Sequence, residues 1–311
     1  MARPIILGVV GDSAAGKTTL TRGLVRVLGE ENVTHVCVDD YHRFDRRQRA
    51  ERNITPLHPE CNYMDIMAQH LAHMRAGEPF LKPVYRHDDG TFGPPVRIEP
   101  KQFSVIDGLL GYYNDDLRRL YDVRVYLAPP EELRRKWKVQ RDCSRRGYTT
   151  DQVLAELDRR EPDSAEFIRP QQRHADIVVS FLPGGDDQEH LDAEIVLRSS
   201  LKHPDLSEVL NGALNQGIKL TEQDGEAHMF IPGTFDRELA ERLEETIWER
   251  LHFASHLRTD RLGEFTIGTE LHRSEALALI QLLILYHLFT ATASVALGGQ
   301  GTRESDGAVA G

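Results

Sequence analysis

Cysteine is scarce in this chain of 311 residues: three, Cys37, Cys61 and Cys143, spaced too widely for a disulfide framework or a Cys-x-x-Cys zinc cluster. A reducing, cytoplasmic setting suits them. Positive charge is also short, with 38 Lys and Arg against 49 Asp and Glu and a net charge of −11. A chain this acidic is repelled by polyphosphate backbones and anionic lipid unless its basic residues cluster, so neither nucleic acid nor a membrane is expected as a partner. The apolar run at residues 5–10 breaks at Gly11 and Asp12, too short for the core of an export signal. One long uncharged stretch exists, the 22 residues 276–297, enough to span a bilayer. It carries Gln281, His287, Thr290, Thr292 and Ser294 and has no flanking aromatic belt, so it reads as a buried core or interface helix. No internal repeat is present, and the Asn-Lys-x-Asp element by which most GTP switches read their base is missing.

What is present is ordinary globular material, 40% hydrophobic and 28% charged, long enough for one large or two moderate domains. Residues 1–182 alternate short β-rich runs with helical patterns, the signature of an α/β fold with a mainly parallel sheet flanked by helices. Strands are expected at 5–10, 34–38, 103–106, 123–127 and 177–181, and helices at 17–28, 64–75, 131–145 and 150–160. Pro183-Gly184-Gly185-Asp186-Asp187 is turn chemistry, which suggests a core over 1–184. A C-terminal α+β extension is then expected over 185–297, with a hairpin near 218–231, an amphipathic helix at 237–251 and the apolar helix from Ser274. The Gly-rich polar tail 298–311 is expected to be disordered.

The sharpest motif is Gly11-Asp12-Ser13-Ala14-Ala15-Gly16-Lys17-Thr18, with Thr19 next, which fits G-x-x-x-x-G-K-[ST] between an apolar strand and a helix. There the backbone N–H groups and the helix start hold phosphates, Lys17 neutralises the β and γ oxygens of ATP, and the Thr18 hydroxyl can ligate Mg²⁺. A second metal-orienting carboxylate is expected on a neighbouring strand, and Asp107 after 103–106 is placed for it. A transfer enzyme also needs a carboxylate at a strand end to accept the proton of the attacking hydroxyl. Asp39 and Asp40 follow the second strand, and side-chain alternation turns only one of them to the substrate.

Two basic clusters stand out against the acidic average. Between Arg43 and Arg52 lie five arginines, among them Arg46 and Arg49, against Asp45 and Glu51, a local charge of +3. Beside a phosphate loop and a candidate base they suit an acceptor that is itself anionic, because Arg binds phosphate bidentately. Further on, Arg134, Lys138, Arg141 and Arg145 share a helical face that could close as a lid near 134–148, with an arginine stabilising the transferred phosphoryl group. The plain alternative is an ion-paired helix with Asp142 as local partner.

Five segments together resemble the phosphoribulokinases, within the P-loop kinase family that also holds uridine kinases. They are 11–19, Asp39-Asp40-Tyr41-His42-Arg43-Phe44-Asp45-Arg46, Lys82-Pro83-Val84-Tyr85-Arg86-His87, Val105-Ile106-Asp107-Gly108-Leu109 and Gln140-Arg141-Asp142-Cys143-Ser144-Arg145-Arg146-Gly147-Tyr148, with weaker likeness at 255–257 and 273–275. The resemblance implies a P-loop kinase core and Mg²⁺-ATP-dependent phosphorylation of the C1 hydroxyl of D-ribulose 5-phosphate. Uridine or another sugar phosphate is the alternative acceptor, and a homodimer or larger homo-oligomer is implied by the apolar helix and an open sheet edge. It further implies Asp39 as catalytic base, Asp40 as a metal or water contact, and His42, Arg46, Tyr85 and His87 at the sugar phosphate. Arg141, Asp142 and Arg146 fall on the lid, the two arginines serving ATP or sugar phosphates. Two departures stand out: the family usually has Glu where Asp107 stands, and phosphoribulokinases often have His where Leu110 stands. Ala15 replaces the regulatory cysteine of plant-type loops, so disulfide control is not expected, and Cys37, inside a strand, reads as a small core residue.

Overall fold

The computed structural model describes residues 2–184, 190–210, 217–234, 236–249, 257–267 and 270–302. Along the first half run β1 (Ile5–Gly11), α1 (Lys17–Leu28), β2 (Val33–Cys37), α2 (Arg46–Glu51), α3 (Met64–Ala76), β3 (Phe80–Arg86), β4 (Thr91–Ile98), β5 (Phe103–Gly108), α4 (Asp115–Arg118) and β6 (Val123–Leu127). Then come α5 (Glu131–Arg146), α6 (Thr150–Asp163), β7 (Ile177–Pro183), β8 (Leu191–Leu197), α7 (Leu206–Val209), β9 (Lys219–Gln223), β10 (Glu226–Ile231), α8 (Arg237–Trp248), β11 (Glu264–Ile267), β12 (Glu270–Arg273) and α9 (Glu275–Ala296).

The strands expected from apolar runs form the centre of an eight-stranded sheet ordered β2-β5-β1-β6-β7-β8-β10-β9. Pairing is parallel from β2 through β7 and antiparallel from β7 to β9. Every residue of β1 is buried, as a parallel strand covered on both faces requires. Alternation sends Ile5, Leu7 and Val9 into a core shared with α1 and α9, and Ile6 and Val10 into a second core with Met67 and Leu71 of α3.

From residue 190 onward the chain does not start a separate layer. β8 pairs with β7 and the same sheet continues outward, so the extension shares the larger core. The apolar stretch is α9, the helix long and apolar enough to cross a membrane by length and composition, and most of it is buried against the sheet, α1 and α8. The expected end of the helix at 237–251 and most of the tail lie outside the described residues, as do residues 255 and 256.

Candidate active site

The parallel strands deliver their C-terminal ends to one edge, and the phosphate loop wraps there between β1 and α1. Gly16 adopts a φ of 95°, which lets the loop turn into the helix, and the Gly16 carbonyl accepts from Thr19 N and Leu20 N. Lys17 Nζ donates to the carbonyls of Gly11 (2.8 Å) and Asp12 (2.7 Å), bridging the mouth of the loop, while Thr18 and Thr19 face solvent. Burial pushes the Lys17 pKa down, against the pull of Asp107, Asp39 and Asp12, so three carboxylates act on one ammonium.

Two residues, Ser164 and Arg134, hold this loop from outside through contacts that sequence reasoning missed. The Asp12 carboxylate accepts from Ser13 N at 2.6 Å and from the Ser164 hydroxyl. Arg134 donates to the Ser13 carbonyl at 3.0 Å, lies 3.6 Å from Asp12 and is clamped by Glu131 at 2.6 Å. Arg134 is buried, as is Lys138, whose Nζ meets Asp142 at 2.6 Å. The part of that face formed by Arg134 and Lys138 is therefore, in this structure, an internal ion-paired seam, because its helix packs on the loop and on α6. Arg141 Nε donates to Asp142 at 2.8 Å, its side chain one-third exposed. Arg145 and Arg146 lie at the end of α5, and their side chains fall outside the description.

Asp107, Cys37 and Val9 stand abreast on β5, β2 and β1, since Asp107 registers with both of the others. One Asp107 oxygen accepts from His35 Nε2 at 2.9 Å, with His35 two residues before Cys37 and so on the same face of β2. β2 ends at Cys37 and the chain turns as a 3₁₀ helix over Val38–Tyr41. Gly108 makes that turn possible, because a Cβ on it would overlap the Val38 side chain.

The turn separates the two candidate carboxylates. Asp39 points to the loop, its Oδ2 3.7 Å from His87 Nε2. Burial raises its pKa, but His42, His87 and Lys17 outweigh this and leave it below the ordinary carboxylate value. Asp40, expected at the metal, is instead a fastener of β3: one oxygen accepts from Lys82 Nζ and the other from Tyr85 N at 2.9 Å. The paired Asp residues diverge because the 3₁₀ turn, not an extended strand, carries them.

The β3–β4 hairpin thereby docks on the site and brings Tyr85 and His87 to it. Tyr85 lies edge-on to His42 at 4.8 Å and to His87 at 5.1 Å. His42 is buried, its Nδ1 2.7 Å from Asn62 Oδ1, and burial lowers its pKa against the attraction of Asp39. Arg49 Nη2 donates to the Tyr85 hydroxyl at 2.5 Å and its guanidinium lies over the Tyr85 ring. Arg46 Nη2 donates to the His87 carbonyl at 2.7 Å from an exposed position, so it fixes the end of the hairpin. Of the remaining cluster, Arg43 stacks on Tyr63, Arg52 on Phe44, and Arg47 pairs with Glu51 at 3.0 Å.

Three further residues lie in or around this region. Arg160 of α6, paired to Glu156 at 2.5 Å, acts on the charge of Asp39. Leu110 is buried in the second core, away from solvent. Cys37, read from sequence as a core residue, is half-buried and its Sγ lies within 4.8 Å of donor atoms of Asp39 and His87. It shares its face of β2 with His35 and registers with Asp107, so it stands at the polar end of the sheet rather than in the core. For a divalent metal, Thr18 Oγ1 and Asp107 offer oxygen donors only, the set that suits Mg²⁺, whereas Asp40 has both oxygens engaged.

The sequence profile of the "Phosphoribulokinase / Uridine kinase family" matches residues 6–186. A phosphoribulokinase of Synechocystis sp. is 40% identical over 181 residues, which are 58% of this chain and 54% of that one. The chloroplastic phosphoribulokinase of Triticum aestivum is 32% identical over 302 residues, covering 85% of this chain and 74% of the plant protein. Among solved structures, "phosphoribulokinase from Rhodobacter spheroides" superposes with a TM-score of 0.62 at 18% identity, over 81% of this chain and 97% of that one, a likeness of fold.

Proposed function

The chain belongs to the phosphoribulokinase / uridine kinase family, and from that premise we propose that it transfers the γ-phosphoryl group of ATP to the C1 hydroxyl of D-ribulose 5-phosphate. The products are ribulose 1,5-bisphosphate and ADP. The observation that carries the reading is the position of Asp39: an ionised carboxylate beside the loop lysine on one side and, on the other, a wall made by His42, Tyr85, His87 and Arg49.

In the reaction the backbone of residues 11–18 and Lys17 hold the β and γ phosphates, and Lys17 exchanges its two loop carbonyls for phosphate oxygens. Asp39 accepts the proton of the acceptor hydroxyl as the new O–Pγ bond forms and the bond from Pγ to the β-bridging oxygen breaks, leaving the charge on ADP. Arg141 and Arg160 supply positive charge from the α5–α6 side, and Arg146 is assigned to the phosphates by the family resemblance alone. Thr18 and Asp107 would hold Mg²⁺, which neutralises the β and γ oxygens when bound. The Tyr85–Arg49 pair and His42 fit the sugar phosphate, the guanidinium turning from the phenol to the dianion. Asp142 contributes by fixing Arg141. The acidic composition and three free thiols support a cytoplasmic setting, and the two open sheet edges, β2 and β9, support self-association.

ADP release by the purified protein with Mg²⁺-ATP and, separately, ribulose 5-phosphate, uridine, other pentose phosphates or no acceptor tests this. Turnover confined to ribulose 5-phosphate is expected. Turnover with uridine alone would overturn the anionic acceptor while leaving the loop chemistry in place.

A further inference from the structure

We propose that Cys37, Asp39 and His87 form a site for a thiophilic divalent cation such as Zn²⁺, distinct from the magnesium position, and that an ion bound there silences the enzyme by taking its base. Three different elements converge to make it: Cys37 closes β2, Asp39 sits in the 3₁₀ turn and His87 follows the last residue of β3. One thiol sulfur, one carboxylate oxygen and one imidazole nitrogen all lie within 4.8 Å of one another, and the Asp39–His87 pair is 3.7 Å apart. Ligand atoms held at about 2.0–2.3 Å from a tetrahedral ion stand roughly 3.3–3.8 Å from each other, so small side-chain rotations close the set.

The donor chemistry chooses the ion. A sulfur, a nitrogen and a single oxygen are a poor shell for Mg²⁺, which keeps oxygen ligands and its waters, and a good one for Zn²⁺, with three protein ligands and a fourth position open to water. Asp107 registers beside Cys37 and adds negative charge to the cleft. The ring of His87 is braced edge-on by Tyr85. On binding, the Cys37 thiol gives its proton to solvent, and the thiolate and the Asp39 carboxylate together neutralise the dication. With its lone pairs committed to the metal, Asp39 can no longer accept the proton of an acceptor hydroxyl. This inhibition rests on Asp39 being the base; the binding does not.

The test titrates the nucleotide-free protein with Zn²⁺ against a competing chromophoric chelator, and with Cd²⁺ to read thiolate-to-metal absorption, so that ATP does not sequester the ion. Turnover is then followed at fixed free Zn²⁺ with Mg²⁺-ATP in excess. One ion per chain is expected, with a thiolate band, release of one proton and inhibition reversed by chelator. Cys37→Ser and Cys37→Ala should retain basal turnover and lose more than about tenfold in Zn²⁺ affinity, the low end of what removing an outer-shell partner typically costs, together with the inhibition. Wild-type affinity no greater than that of both variants would overturn the site. Tight binding with full turnover would overturn the silencing and the role of Asp39. Absence of ADP release from the zinc-free enzyme supplied with Mg²⁺-ATP and ribulose 5-phosphate would instead sink the kinase reading, and the binding titration separates the two failures.

Discussion

At the scale of single residues, the site sorts side chains by whether they face phosphate, proton or scaffold. Asp39→Asn keeps the shape and removes the base, so kcat is expected to fall by about 10²–10⁴-fold while ATP binding, followed by fluorescence or calorimetry, stays near normal. Arg134→Ala should act on the other axis. It frees the Ser13 carbonyl and leaves Asp12 beside the loop without its guanidinium, so the KM for ATP is expected to rise more than kcat falls, in steady-state kinetics. Lys17 and Thr18 were legible in the sequence because loop spacing places them through local geometry alone, whereas the strand end narrowed the base only to Asp39 or Asp40 and the family resemblance chose between them. Asp40 was not legible, because its role depends on Lys82 and Tyr85 some 42 and 45 residues away in sequence. Arg134 and Lys138 were legible as a helical face but not as buried, since the partner that covers them, α6, is a tertiary fact. Cys37 went the other way: a strand position reads as core, but its register with Asp107 at the end of the sheet sets it at the cleft.

At the scale of elements, the central strands and their helices could be read from hydrophobic runs, and α1 matches its expected bounds at both ends. The β3–β4 hairpin could not. Pro83, Pro94 and Pro95 interrupt its pattern, Leu81, Phe92 and Val96 face solvent, and a register shift between Lys82 and Val84 breaks the alternation on which such readings rest. Where two elements touch at a glycine the structure makes a sharper claim. A methyl group at Gly108 would strike Val38, whose backbone begins the turn bearing Asp39. Gly108→Ala should therefore cost about 1–3 kcal/mol in denaturant unfolding and lower kcat by displacing the base. Adding Val38→Ala should recover part of both, and strict additivity of the two changes would show that the collision is not the cause.

Across the whole molecule, α9 ties the phosphate-loop half to the outer half of the sheet, and it does so with two buried polar residues among leucines. Gln281 Oε1 accepts from Gly263 N at 2.8 Å, which fixes the loop before β11. His287 Nε2 lies 2.9 Å from His203 Nδ1, whose other nitrogen is 2.7 Å from the Arg198 carbonyl. Because a carbonyl only accepts, His203 carries its proton on Nε2 and accepts through Nδ1, so His287 donates from Nε2 and keeps a bare, buried Nδ1. Among the described residues a proton on that nitrogen has no partner. Burial, with some help from His203, pushes the His287 pKa down to about 3, and burial also lowers that of His203. A histidine depressed in the folded state binds its proton more readily when unfolded, so stability should be full above the unfolded value near 6.5 and fall as the pH drops from there toward 3. For one proton the slope is about 1.4 kcal/mol per pH unit. Urea unfolding of wild type and His287→Leu at pH 7 and 5 isolates the His203–His287 pair, since carboxylates and the histidines outside the pair titrate alike in both proteins. The variant is expected to lose less stability than wild type over that interval. Parallel losses would mean that the pair is already protonated or solvated in the native protein, and that α9 is held by its leucines alone.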